Sequence, residues 1–179
     1  MKILVTGSAG FIGFHFTKNL LEDGFEVLGI DNMNDYYDPR LKEARLAKLK
    51  CFENFIFKKA DIAEKEELST TFKSFNPEKV VHLAAQAGVR YSIKNPYVYL
   101  DANLTGFLNI LELCRHNRAD GLIYASSSSI YGANTKIPFS TDDQTDRPIS
   151  LYGATKKANE LMATSYSHLY ELNTTGLRY

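Results

Sequence analysis

The sequence lacks three features that define other classes of protein. It has no net charge, since 21 lysines and arginines balance 21 aspartates and glutamates, so nucleic acid and anionic membrane surfaces are not expected as partners. Its two cysteines, Cys51 and Cys114, are too few for a secreted disulfide framework or a four-thiolate zinc site, and we expect no metal. No apolar run is long enough to span a bilayer. These absences predict a cytoplasmic protein without a membrane segment.

What is present is a repeated alternation of short apolar segments with longer segments of helical periodicity. In a chain of 179 residues, 44% of them apolar, this alternation predicts one folded domain. Strands separated by helices pair in parallel, and strands that are apolar throughout are covered on both faces. We therefore predict an α/β Rossmann-type fold, a doubly wound parallel sheet with helices on both faces. The predicted strands are residues 2–6, 26–30, 55–57, 80–83, 122–125 and 175–179.

Three glycines, Gly7, Gly10 and Gly13, follow the first predicted strand and open the first predicted helix. In this arrangement the first glycine permits a tight turn, the second lets the backbone approach a pyrophosphate, and the third lets the helix pack closely on the strand. The N-terminus of the helix adds free N–H groups and the positive end of its dipole. The fingerprint predicts a dinucleotide-binding site.

Asp31 ends the second predicted strand, where a carboxylate accepts hydrogen bonds from the ribose hydroxyls of NAD and repels the 2′-phosphate of NADP. We therefore expect NAD as the cofactor, and the alternative is a strand-end aspartate that only caps a turn. Asp61 follows the third predicted strand, where it either lies beside the adenine or caps the next helix.

Tyr152 and Lys156 are four residues apart, so they share one face of a predicted helix that Ser150 can cap. Residues 126–129 are serines that directly follow the fifth predicted strand, at the sheet edge where such folds place their sites. A lysine ammonium and an oxidised nicotinamide both favour the phenolate of a neighbouring tyrosine, and a serine hydroxyl can hold the substrate oxygen while the phenolate takes its proton. The alternative is a packed tyrosine, a surface lysine and a serine-rich loop.

Together the motifs resemble the extended short-chain dehydrogenase/reductase family, which includes nucleotide-sugar epimerases and dehydratases. The general motifs are TGSAGFIG at 6–13, DN at 31–32, HLAAQAGVR at 82–90, SSSSIYG at 126–132, YGATK at 152–156 and LRY at 177–179. Within the family the chain is most similar to UDP-glucuronate 4-epimerases, in the segments DNMNDYYDPRLKEARL at 31–46, QAGVRYS at 86–92, YASSSSIYGANTKIPFS at 124–140 and KKANELMATSYSHLY at 156–170.

The resemblance implies Ser127, Tyr152 and Lys156 as the catalytic residues and NAD as the cofactor. The substrate contacts that it implies are Arg90, Ser127, Ser128 and Tyr179. Of these, Arg90 either pairs with a sugar carboxylate or is a solvated surface residue. The cofactor contacts that it implies are Gly7, Gly10, Phe11, Ile12, Gly13, Asp31, Asn32, Asp61, Ile62, Leu83, Ala84, Ala85, Asn103, Tyr152 and Lys156.

The activity that the resemblance implies is NAD-dependent 4-epimerisation of a UDP-sugar, UDP-glucuronate to UDP-galacturonate, through a 4-keto intermediate. Related dehydratases have an Asp-Glu pair after the catalytic hydroxyl and related decarboxylases have a Glu at the second of these positions, whereas Ser128 and Ser129 stand here. These departures favour epimerisation. The alternatives are another UDP-hexose 4-epimerase, a sugar-nucleotide reductase or dehydratase of the same family, and a non-catalytic dinucleotide sensor.

Members of the family continue into a smaller C-terminal domain that holds the uridine diphosphate. We therefore expect residues 1–179 to be a truncated protein, an NAD-binding Rossmann domain that lacks the substrate domain and is inactive alone. Related enzymes form homodimers through two helices, here residues about 97–117 and 151–172. The expected apolar contacts, which could equally be buried in the monomer core, are Tyr99, Leu100, Leu104, Leu161, Met162 and Tyr166.

Overall fold

Six parallel strands form one sheet in the computed structural model, which describes residues 1–179. The strands are β1 (Lys2–Thr6), β2 (Glu26–Asp31), β3 (Phe55–Lys59), β4 (Lys79–His82), β5 (Gly121–Ser126) and β6 (Thr174–Arg178). Their order in the sheet is β3-β2-β1-β4-β5-β6, and every neighbouring pair is parallel. The predicted Rossmann-type sheet and its six strands are thereby confirmed. The order reverses between β1 and β4, whose carboxyl ends are where open α/β sheets bind ligands.

Helices connect the strands on both sides of the sheet. They are α1 (Phe11–Glu22), α2 (Pro39–Leu49), α3 (Lys65–Phe75), α4 (Val89–Lys94), α5 (Tyr97–Tyr99), α6 (Gly106–His116) and α7 (Leu151–Tyr170). A π-helical segment, Leu100–Thr105, joins α5 to α6, so these three segments form one continuous helical stretch. The short α4 follows β4, in a stretch where the sequence predicted no helix. No helix combines the length and the hydropathy that crossing a lipid bilayer needs.

The core lies on both faces of the sheet because successive strand residues point to opposite sides. Leu4 of β1 packs on one face with side chains of α3, α6 and α7, such as Phe72 and Phe107. Ile3 and Val5 of the same strand pack on the other face with side chains of α1 and α2. Burial on both faces explains why the inner strands β1, β2 and β4 are mostly apolar rather than alternating, whereas the edge strands β3 and β6 carry more polar residues.

The helices expected to form a dimer interface expose only some of the predicted contacts. Tyr99 is fully buried and its hydroxyl donates to the carbonyl of Ala87 at 2.9 Å. It belongs to the monomer core, so its prediction as an interface contact is wrong. Leu100 and Leu161 are exposed, and the other predicted contacts are partly buried: Leu104, Met162 and Tyr166.

Candidate functional site

A cleft opens at the carboxyl ends of β1 to β4, where the order of the strands reverses. The predicted cofactor residues that line it are Gly7, Gly10, Asp31, Asn32, Asp61, Ile62, Leu83, Ala84 and Ala85. The cleft is also lined by side chains that the sequence did not single out, among them Tyr36, Tyr37, Lys42 and Gln86. The sheet topology therefore brings residues from three separate motifs to one binding surface.

The loop between β1 and α1 has the geometry that the glycine fingerprint predicts. Gly7 has φ +72°, and a Cβ there would lie 2.7 Å from the backbone nitrogen of Ala84. A Cβ on Gly13 would overlap the carbonyl oxygen of Gly7, so only glycine lets α1 pack this closely on the loop. The requirement for glycine at the first and third positions thus comes from backbone contact.

The first turn of α1 presents unpaired donors. Gly10 is the N-cap and supplies no capping side chain. The backbone N–H groups of Phe11, Ile12 and Gly13 donate to no acceptor in the chain. Side chains of Phe11 and Ile12 are exposed, so these residues offer the site their backbone. Three free N–H groups at the positive end of a helix dipole form a site for a phosphate group.

Asp31 is buried beside the cleft and is more heavily bonded than a turn cap requires. Its carboxylate accepts from the backbone N–H groups of Ala9 at 3.2 Å and Met33 at 2.9 Å. It also accepts from the ammonium of Lys42 at 3.0 Å, and both side chains are only 6% exposed. Lys42 donates a second hydrogen bond to Asn34 at 3.0 Å. The carboxylate that would meet the adenosine ribose therefore carries its own buried counter-ion.

Asp61 lines the cleft and caps the turn before α3, whose own N-cap is Glu64, while its contact with an adenine stays a prediction. One carboxylate oxygen accepts from the backbone N–H of Ala63 at 2.9 Å, which caps the turn before α3. The other accepts from the side-chain amide of Asn32 at 2.9 Å. Asn32 and Asp61 both line the cleft, so this bond joins the ends of β2 and β3 into one wall.

Ser127 follows β5 directly and begins the turn that carries the other serines. It is buried, and its hydroxyl oxygen accepts from the backbone N–H of Ser129 at 3.1 Å, which caps a 3₁₀ turn over Ser128–Tyr131. Ser128 is exposed, and its backbone N–H donates to the carbonyl of Tyr179 at 2.7 Å. The predicted substrate residues Ser127, Ser128 and Tyr179 are thus neighbours at the carboxyl ends of β5 and β6.

Helix α7 brings Tyr152 and Lys156 to this turn. Its N-terminus is capped as predicted, since the Ser150 hydroxyl accepts from the N–H of Gly153 at 3.0 Å. A Cβ on Gly153 would lie 2.8 Å from the carbonyl oxygen of Ser129, so the helix packs directly on the serine turn. Lys156 is buried and donates to the carbonyl of Ala125 at 2.9 Å. The structure thereby brings Lys156 and the first turn of α7, which carries Tyr152, to the end of β5 where Ser127 lies, and the Tyr152 ring packs edge-on against the Tyr99 ring with 6.2 Å between centroids.

The charge at this end of the site is concentrated on one group. Burial lowers the pKa of Lys156 to about 8, which leaves it mostly protonated at neutral pH. Burial, with a smaller contribution from the charge of Lys156, lowers the pKa of His82 to about 3. The His82 imidazole is therefore neutral, and its Nδ1 lies 2.8 Å from the Thr6 hydroxyl. The ammonium of Lys156 is the cation available to stabilise negative charge on a neighbouring oxygen.

Two further predicted contacts, Asn103 and Arg90, lie neither in the cleft lining nor at the N-terminus of α1 nor at the end of β5. Asn103 is buried, and its amide bonds both the N–H and the carbonyl of Gln86 and the hydroxyl of Thr155. Its side chain holds Gln86, which lines the cleft, in place. Arg90 is exposed on α4 and has no hydrogen bond or ion pair within the chain. Direct cofactor contact by Asn103 and substrate contact by Arg90 stay predictions.

Residues 4–179 match the family model described as GDP-mannose 4,6 dehydratase. The chain belongs to this family. UDP-glucuronate 4-epimerase 4 of Arabidopsis thaliana is 52% identical over 180 residues, a match that spans 100% of this chain and 41% of that relative. The predicted resemblance to short-chain dehydrogenase/reductase enzymes of nucleotide sugars is confirmed. The chain spans about half the length of curated relatives that it matches over its whole length.

Solved structures of two epimerases share the fold over the whole chain. The UDP-glucuronic acid 4-epimerase of Bacillus cereus, in complex with UDP-glucuronic acid and NAD, has a TM-score of 0.91 and 35% identity, covering 100% of this chain and 56% of that one. The UDP-glucose 4-epimerase of Thermotoga maritima, with UDP-glucose, has a TM-score of 0.89 and 34% identity, covering 100% and 55%. The two likenesses are nearly equal, so the fold does not separate a uronate from a neutral hexose.

Proposed function

We propose that this chain is the cofactor-binding part of an NAD-dependent UDP-sugar 4-epimerase that converts UDP-glucuronate to UDP-galacturonate. The observation that carries the proposal is that Lys156 and the first turn of α7, which carries Tyr152, meet the end of β5 at Ser127, in the same sheet whose β1 to β4 ends form a cleft lined by the glycine loop and Asp31. A dinucleotide sensor would need the cleft but not these three residues. Their presence favours an enzyme.

The residues of the cleft fit NAD. The free N–H groups of Phe11, Ile12 and Gly13 would hold the pyrophosphate, and Asp31 would accept from the adenosine ribose. The walls formed by Asp61 and Ile62 would enclose the adenine. The chemistry that NAD supplies when bound is acceptance of the sugar's C4 hydride and its return to the opposite face.

The proton chemistry belongs to residues of the chain. Tyr152 takes the proton of the 4-hydroxyl as C4 is oxidised and returns it to the 4-keto oxygen after the sugar has turned over. The buried ammonium of Lys156, one helical turn away, stabilises the phenolate that this role requires. The Ser127 hydroxyl oxygen accepts from the N–H of Ser129, which leaves its O–H free to donate a hydrogen bond to the same substrate oxygen.

The test uses the full-length protein with UDP-glucuronate as substrate. Tyr152→Phe keeps the ring and removes the proton acceptor, so turnover should fall about 10²–10⁴-fold while NAD stays bound. Tyr170→Phe is the matched control, since Tyr170 lies at the other end of α7 against Arg115, and it should keep normal turnover. Formation of UDP-galacturonate is followed by chromatography. A Tyr152→Phe enzyme within threefold of wild type would contradict the proposal.

Sequence similarity favours the uronate over the neutral hexose. The chain is 52% identical to a UDP-glucuronate 4-epimerase, and its exposed Arg90 is free to pair with a carboxylate. In the full-length enzyme, Arg90→Ala should therefore lower kcat/KM for UDP-glucuronate more than for UDP-glucose. An equal loss on both substrates would instead indicate a solvated surface arginine.

The full-length protein is also proposed to be a homodimer that pairs the 97–116 helical stretch and α7. Leu100 and Leu161 are exposed on these helices, and Leu108 is 41% exposed on the same stretch, so an apolar surface is available. Light scattering should give the mass of a dimer, and Leu161→Glu should lower it. A wild-type monomer at micromolar concentration would contradict the pairing.

A further inference from the structure

A partly buried ion pair lies directly beyond Tyr152 and Lys156 on α7. Glu160 stands one helical turn past Lys156, and its side chain is 14% exposed. Its carboxylate accepts from the Nε of Arg178 at 2.9 Å and from a terminal nitrogen of the same guanidinium at 3.0 Å. A third bond comes from the hydroxyl of Ser126 at 2.7 Å. A bidentate arginine–carboxylate pair fixes the relative orientation of the two side chains as well as their distance.

Arg178 extends this network to the segment that follows the serine turn. Its other terminal nitrogen donates to the Tyr131 hydroxyl at 3.1 Å and to the carbonyl of Thr141 at 3.2 Å. The guanidinium also lies 5.2 Å from the centre of the Tyr131 ring. The network therefore joins α7, the end of β5, the 3₁₀ turn and β6 through one carboxylate.

The carboxylate of this network stays ionised. Burial raises the pKa of Glu160, but the hydrogen bonds from Arg178 and Ser126 and the charge of Arg178 outweigh it and hold the pKa below its ordinary value. Hydrogen bonding to Glu160 raises the pKa of Arg178 in turn. Both groups are therefore charged at neutral pH.

Two side chains of α7 hydrogen-bond to β5 immediately before Ser127. Lys156 bonds the carbonyl of Ala125, and Glu160 bonds the hydroxyl of Ser126. Two side chains one turn apart on α7 thus hold two successive residues of the strand, and the next residue is the catalytic serine. Because Tyr152 is on the same helix, these two bonds fix the end of β5, just before Ser127, relative to the helix that carries Tyr152.

We propose that Glu160 is a positioning residue for the epimerisation, which fixes the end of β5 against α7 so that Ser127 and Tyr152 meet the same substrate oxygen. This inference rests on the proposed function. Misplacement of a catalytic group by about 1 Å costs about 100-fold in rate. Loss of the Glu160 charge should therefore lower kcat, while the UDP-sugar KM and the bound NAD, which depend on other residues, stay near normal.

The experiment compares Glu160→Gln with a matched control, Glu112→Gln, in the full-length protein. Glu112 of α6 also accepts from an arginine and a hydroxyl, Arg115 at 3.1 Å and Tyr166 at 2.7 Å, but none of its partners lies on β5 or the serine turn. Glu160→Gln should lower kcat about 10–100-fold with KM changed less than about threefold. Glu112→Gln should lose a similar amount of thermal stability and keep kcat. Equal losses of kcat in the two variants, or normal kcat in Glu160→Gln, would overturn the proposal.

Ser126→Ala gives a second test that leaves the Glu160–Arg178 ion pair intact, so it holds even where Glu160→Gln folds poorly. It removes only the hydroxyl that Glu160 accepts from, and should reproduce part of the kcat loss. The double variant Ser126→Ala with Glu160→Gln should be no slower than Glu160→Gln alone. If the kcat losses of the two single variants add fully in the double variant, Ser126 and Glu160 do not act through one interaction, and the proposal is overturned. A wild-type enzyme inactive on every UDP-sugar would refute the proposed function as well, whereas active wild type with unaffected variants refutes the positioning role alone.

Discussion

The two halves of the site are built in different ways. The half at the glycine loop is shaped by backbone, since a Cβ on Gly7 or Gly13 would strike backbone atoms and the free donors are main-chain N–H groups. The half at β5 and α7 is shaped by side chains that reach across elements, Lys156 to Ala125 and Glu160 to Ser126. A phosphate needs a fixed shape lined with donors, whereas proton transfer needs charged groups at set distances.

The largest expected effect on cofactor binding tests the half of the site at the glycine loop. Gly13→Ala places a methyl group against the Gly7 carbonyl, so α1 must move away from the loop. Overpacking of this kind costs about 1–3 kcal/mol, which would weaken NAD binding about 10–100-fold if it falls on the bound state. Calorimetric titration of cofactor-free protein measures the affinity.

Gly121→Ala is the control for this substitution. Its added Cβ would lie 3.6 Å from the carbonyl oxygen of Asn173, an ordinary contact. It should therefore bind NAD as wild type does. Wild-type affinity in Gly13→Ala would show that the loop adapts, and the account of a backbone-shaped phosphate site would be wrong.

A second prediction concerns the folding stability that the buried charge of Lys156 costs in the half of the site at β5 and α7. Because burial lowers the pKa of Lys156 from 10.5 to about 8, the unfolded chain binds more protons than the folded one between those values, and wild-type stability rises with pH there. Lys156→Met removes the buried charge. Its free energy of unfolding at pH 7 should exceed that of wild type by up to about 3 kcal/mol, and the gain should shrink as the pH rises above 8.

Urea unfolding at pH 7, 9 and 10 measures this gain. The exposed Lys48→Met, on α2, is the control and should show no pH-dependent gain. A gain in unfolding free energy for Lys156→Met that stays constant across this pH range would contradict a buried ammonium with a lowered pKa.

The smallest expected effect is on the choice between NAD and NADP, which two side chains beside the glycine loop, Asp31 and Lys42, control. Repulsion between Asp31 and a 2′-phosphate should favour NAD over NADP about tenfold, although Lys42 compensates part of that charge. Lys42→Met should therefore sharpen the preference, and Asp31→Asn, which leaves the ammonium unpaired, should weaken or reverse it. Calorimetric affinities for both cofactors decide this, and equal wild-type affinities would contradict the role of Asp31.

Local sequence patterns were sufficient for the strands, the glycine loop and the Tyr152–Lys156 pair. Each of these depends on residues near one another in the chain, where hydrophobic period and spacing reflect structure directly. The Ser150 cap is of the same kind, because its partner Gly153 lies three residues away.

Contacts between distant segments could not be predicted in this way. Lys42 lies in a charged helix that resembles a solvated one, and its burial depends on where Asp31 lies after folding. The resemblance implied Tyr99 as an interface residue, but its side chain is buried in the monomer and its hydroxyl donates to the Ala87 carbonyl. The Glu160–Arg178 pair forms only once β6 lies beside β5 under α7. Such pairings depend on tertiary packing, about which local sequence propensities carry no information.

The most direct test of the account follows the hydrogen at C4 of the sugar. The full-length protein is incubated with UDP-glucuronate that carries deuterium at C4, and the label in UDP-galacturonate is measured by mass spectrometry and NMR. If the C4 hydride leaves and returns within one site while Tyr152 handles the proton, the product keeps its deuterium, the labelled substrate reacts more slowly than the unlabelled one, and Tyr152→Phe forms almost no product. Loss of the label to solvent, or equal rates for labelled and unlabelled substrate with Tyr152→Phe as active as wild type, would contradict it.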